Sequence, residues 1–192
     1  MINKKKISFY KKNGFLKLKL LSREDIFFLK KKIASDLRKK YFLKFKKKLN
    51  FDKLENYHKL KLSENEHRYL VKPGHRFFVF NRKISKKILN NQIMDLIRSQ
   101  WGYSTLSLYW IGNLKKNKNQ KLKNATGYRI ARPKQKIKTK DVAGVHIDVN
   151  AGGLNNKDVL SSITIWIPLV GFSKRSTLRI SPKSHLKRHK IK

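Results

Sequence analysis

Apolar residues fall at helical spacing early in the chain and alternate with polar ones later. Leu16, Leu18 and Leu20 alternate with Lys17 and Lys19, which predicts a half-buried strand over Gly14–Leu20. Ser22 then stands where a helix N-cap belongs, with Glu24 and Asp25 placed to oppose the helix dipole. Ile26, Leu29, Ile33 and Leu37 mark one face of a helix running to about Tyr41. Ile88, Ile93, Met94 and Ile97 predict a second helix over Lys86–Gln100 that stops near Gly102. Both apolar stripes are read as core.

From Tyr103 the texture becomes β-rich. Short strands are predicted over Ser104–Ile111, Thr126–Arg132, Ala143–Val149, Ile163–Leu169 and Ser176–Ser181. The Lys/Asn-rich stretch Leu114–Asn124 and the stretch Pro133–Lys140 read as exposed loops. Helices first and strands later predict an α+β fold, with an antiparallel sandwich or barrel packed against the helices. A jelly roll accommodates that many short strands. With no repeat and no linker, residues 1–192 are expected to form a single domain.

Composition narrows the function classes. A chain that is 39% hydrophobic and 11% aromatic is too apolar for a disordered tail. The absence of cysteine excludes disulfides, thiolate-bound zinc and thiol catalysis. The longest apolar run, Ile163–Phe172, falls far short of the roughly 20 residues of a membrane span. The basic start, Met1–Lys6, is followed by no apolar core, so no signal peptide is expected and a cytoplasmic location is. The net charge of +38 would attract polyanions. Lys outnumbers Arg more than threefold, however, and Lys, Asn and Ile are abundant together, as when AT-rich codons accumulate. Phosphate readers favour the bidentate fork of Arg, so nucleic-acid binding is an alternative and not the favoured reading.

The chemistry centres on Val145-His146-Ile147-Asp148-Val149. On a strand, His146 and Asp148 share one face while Ile147 points the other way. One imidazole and one carboxylate make two of the three ligands of a facial triad that leaves three positions open on iron. A third ligand would come from a neighbouring strand. His58, His67 and His75 lie in a polar middle segment and are read as surface or structural positions. His189 stands four residues after His185, a chelating spacing only on a helix, which Pro182 and the basic tail disfavour. Neither a phosphate-cradling glycine loop nor a Gly-x-Ser-x-Gly elbow is present.

Downstream, Thr164-Ile165-Trp166-Ile167-Pro168-Leu169 leads through a polar turn into Ser181-Pro182-Lys183-Ser184-His185. With His146-x-Asp148, this resembles the phytanoyl-CoA dioxygenase-like group of 2-oxoglutarate/Fe(II) oxygenases. Asn13-Gly14-Phe15-Leu16 and Leu20–Ile26 look like that family's opening strand and helix. Thr126–Pro133 is similar to a subgroup encoded among surface-polysaccharide genes. The resemblance implies a double-stranded β-helix (cupin) core with N-terminal helices packed on one sheet. It also implies metal ligands His146, Asp148 and His185, with Fe(II) and 2-oxoglutarate as cofactors. The implied activity is a dioxygenase (an oxidoreductase) that uses O2 to hydroxylate a small-molecule or carbohydrate intermediate.

Two departures stand out. Asp148 and His185 lie closer together than in typical members, so intervening loops must be trimmed. The family usually anchors 2-oxoglutarate with an Arg one strand beyond the distal His, and here seven residues follow His185, with Arg188 too early in register. Either the last strand is missing, or Arg129 or Arg132 substitutes. Arg129 is the better placed of the two, since Arg132 borders Pro133. An inactive relative that retains the fold is the further alternative.

Overall fold

The computed structural model describes residues 2–72, 77–102, 109–115, 118–130, 163–171 and 178–186. Its organising element is the long helix α2, Arg23–Phe45. Leu29, Ile33, Leu37 and Tyr41 recur every fourth residue and are all buried, forming the spine of the core. Ser22 and Asp25 close a capping box at its start: Asp25 N–H donates to Ser22 Oγ at 3.2 Å, and Ser22 N–H to Asp25 Oδ2 at 2.9 Å. The helix runs beyond the expected end at Tyr41 and terminates at Lys46 in the left-handed conformation.

Around this spine pack a 3-10 turn, Leu54–Lys59, and helix α3, Glu64–Val71. They contribute Leu54, Tyr57 and Leu70 to the core. Ser63 and Glu66 repeat the capping box at the start of α3. The second predicted helix is in fact two, α4 (Arg82–Ile88) and α5 (Asn91–Trp101). Asn90 makes the break, because its side chain accepts from Gln92 and Ile93 N–H and so starts a new helix. Helix α5 ends at Gly102 (φ 72), the stop expected from the sequence.

A helix that the apolar pattern does not signal, α1 (Lys4–Asn13), precedes these; it buries none of its own residues and is capped by Asn3. It contacts α5, where Ile2 N–H donates to Asp95 Oδ2 at 3.0 Å. Residues 15–20 form no strand. Leu16, Leu18 and Leu20 are nonetheless half-buried and Lys17 and Lys19 exposed, so the predicted alternation is present without a ladder partner.

Two antiparallel pairs make up the sheets among the described residues. Strands β1 (Phe77–Val79) and β4 (Ala125–Gly127) pair Val79 with Ala125. Strands β2 (Tyr109–Lys115) and β3 (Lys118–Lys123) form a hairpin with a register shift between Asn113 and Lys115. The stretch read as an exposed loop, Leu114–Asn124, therefore supplies β3, which main-chain pairing holds without apolar alternation. Strand β2 overlaps the strand expected over Ser104–Ile111 at Tyr109–Ile111 and runs on to Lys115. The strand expected over Ala143–Val149 lies outside the described residues. Among the described residues, no helix is long and apolar enough to cross a membrane.

Candidate functional site

Of the sequence-predicted site residues, His146, Asp148 and Arg132 lie outside the described residues. His185 is placed by its backbone in a second 3-10 turn, Ser184–Leu186. Among the described residues no three His, Asp or Glu side chains gather into a metal-binding group. What the structure does place is the frame on which the two flanking motif segments sit.

Residues 163–169, expected as a strand, form none, but they keep a strand's alternation along the core. Ile163, Ile165, Ile167 and Leu169 are half-buried, while Thr164, Trp166 and Pro168 are exposed. Ile165, Ile167, Leu169 and Val170 pack on the cluster built around α2. The period-two pattern of Trp-Ile-Pro-Leu is thus expressed as a one-sided ribbon.

The Pro-Lys-Ser-His segment forms a tight turn. Lys183 takes a left-handed conformation (φ 63), Ser184 N–H donates to Ser181 O at 3.3 Å, and Leu186 N–H donates to Lys183 O at 3.1 Å. The turn is tied across the molecule, since Lys183 N–H donates to Asn13 O at 3.1 Å. Asn13 ends α1, and Gly14 (φ 79) caps it through Gly14 N–H to Tyr10 O at 2.7 Å. The Asn13-Gly14 motif and the Pro-x-Ser-His motif are therefore neighbours in space.

Arg129 is exposed, directly after the buried Tyr128. The Tyr128 hydroxyl donates to Asp36 Oδ2 at 3.1 Å, and Lys40 Nζ closes on the same oxygen at 2.6 Å. Burial and the Asp36 charge push the Tyr128 phenol far above its ordinary range, so it stays a neutral donor. With its neighbour fixed to α2, Arg129 leaves the core surface and carries no acidic partner among the described residues.

The structural reading of the middle histidines holds for His67, which is fully buried with Nδ1 3.0 Å from the Tyr57 hydroxyl. Beside it, Tyr41 donates to Glu66 Oε1 at 2.6 Å, a bond that lowers the Glu66 carboxyl and raises the Tyr41 phenol. No sequence motif announces an open groove of about 650 Å³ walled by Arg38, Asn50, Phe51, Asn56 and Lys59. Arg38 Nη1 donates to Phe51 O at 2.6 Å there, which turns the guanidinium toward Phe51. Comparison with family models, curated proteins and solved structures gave no match to this chain.

Proposed function

We propose that the chain is a 2-oxoglutarate- and Fe(II)-dependent dioxygenase with a double-stranded β-helix core, hydroxylating a small-molecule or carbohydrate intermediate in the cytoplasm. The observation that carries this reading is the order of three segments. His146-Ile147-Asp148 is followed by the one-sided ribbon 163–169 on the core, and then by the Pro182–His185 turn held against Asn13.

The donor set suits ferrous iron. The two imidazoles of His146 and His185 and the Asp148 carboxylate would hold the iron, a donor set that suits a metal meeting 2-oxoglutarate and O2. Iron bound there would supply the oxidation: one oxygen atom of O2 would enter a C–H bond to give the alcohol, and the other would go to succinate with release of CO2. The chain's own residues hold the ligands and meet charge. Arg129, exposed and without an acidic partner among the described residues, supplies the guanidinium that pairs with the distal carboxylate of 2-oxoglutarate. Arg132 is the other candidate for that role.

The test is succinate formation from purified protein given Fe(II), ascorbate and 2-oxoglutarate, with Fe(II) binding followed anaerobically. His146→Ala, Asp148→Ala and His185→Ala should each abolish turnover and weaken Fe(II) binding. Arg129→Ala should lose turnover at low 2-oxoglutarate while retaining Fe(II), and Arg132→Ala should retain both. Wild-type protein that neither binds Fe(II) nor forms succinate would overturn the reading.

A further inference from the structure

Helix α2 is apolar on both sides. Opposite the buried stripe stand Phe27, Phe28, Phe42 and Leu43, which are 67%, 43%, 50% and 56% exposed. Large apolar side chains left in water at this density mark a contact surface. Exposed lysines Lys31, Lys32 and Lys39 lie between them. At about 100° per residue these seven positions fall within a sector of about 160°, and they extend along about 24 Å of helix. Glu24, at the N-terminal end, is the one exposed carboxylate of α2. Asp36 is turned inward and held by Tyr128 and Lys40.

We propose that this outer face of α2 docks on an anionic lipid surface. Charge decides the occupant. A chain of net charge +38 with lysines in the face repels a second copy of itself and draws an anionic partner. Shape and residue type decide between anions. Strand-binding proteins use a cationic channel in which rings stack on bases, and favour Arg forks for phosphate. Here the rings stand on one helix interleaved with Lys, and Arg38, at the edge of the sector, is turned to Phe51. A helix lying in the plane of a bilayer interface has these parts: Phe and Leu entering the acyl boundary, and Lys side chains reaching back to the headgroups. This is attachment of a surface helix and requires no span.

Because the whole chain is cationic, the test must hold charge constant. Phe27→Ser, Phe42→Ser and Leu43→Ser combined leave the charge unchanged and touch only exposed side chains. Co-sedimentation of the full chain with vesicles of roughly three parts phosphatidylcholine to one part phosphatidylserine, in about 0.1 M salt, measures binding. The triple variant should bind about tenfold or more weakly than wild type, with an unchanged circular dichroism spectrum. The chain has no cysteine, so Ser35→Cys, at the middle of the face, accepts a single polarity-sensitive fluorophore. Its emission should shift to the blue on the anionic vesicles and stay unchanged on pure phosphatidylcholine. Equal binding by wild type and triple variant, or no blue shift, overturns the proposal. So does a shift produced by single-stranded DNA or by self-association in place of lipid.

Discussion

Helix α2 and the ribbon 163–169 lie on the same core, yet they use it differently. The helix buries Leu29, Ile33 and Leu37 to 2% exposure or less, whereas Ile165, Ile167 and Leu169 of the ribbon stay half-exposed. The difference follows from the backbone. A helix satisfies its own N–H and C=O groups and can press a whole stripe inward, while an extended segment depends on a partner for them. Apolar periodicity specifies the inward face in both, but only in the helix does it also specify the hydrogen bonds.

The largest effect that tests this contrast is Leu37→Ala, which should cost about 2–5 kcal/mol in urea unfolding because the site is fully enclosed. Ile167→Ala should cost less, about 1–2 kcal/mol, since only part of its area leaves water. Equal losses at the two sites would erase the distinction. Ser22→Ala removes the N-cap and should cost about 1 kcal/mol, with no counterpart in the ribbon.

The cap also carries a pH signature. The Lys87 ammonium, and then the Ser22 N–H, hold the Asp25 carboxyl down at about 2. A carboxylate held below its unfolded value of about 3.9 stabilises the fold above that pH, and the stabilisation is lost as pH falls toward the folded value. Melting temperature should therefore drop between about pH 4 and about pH 2, and Asp25→Asn should flatten that part of the profile.

The helical shell was legible where local chemistry is explicit. Ser22, the Leu29–Ile33–Leu37 stripe and the stop at Gly102 all read correctly. The split between α4 and α5 was written in the five-residue step from Ile88 to Ile93 and in Asn90, but one long stripe was the simpler pattern. Helix α1 carries lysines where an apolar stripe would be, and β3 holds to β2 through main-chain pairing, so neither α1 nor β3 leaves a periodic trace, whereas the strand expected over Ser104–Ile111 overlaps β2. At the site, His-x-Asp and Pro-x-Ser-His are visible as residue types. Whether they converge depends on strand pairing across a long separation, which alternation does not encode.

The hydrogen bond from Lys183 to Asn13 joins the two ends of the described chain, while each bond within α2 closes a single helical turn. Contacts of such separation carry the loop-closure entropy of nearly the whole chain, so they form after the helices and open before them. In native-state hydrogen exchange, the Lys183 amide should lose its proton through a local opening. The amides of Lys32 and Ala34, on either side of Ile33 in α2, should exchange only when the chain unfolds as a whole.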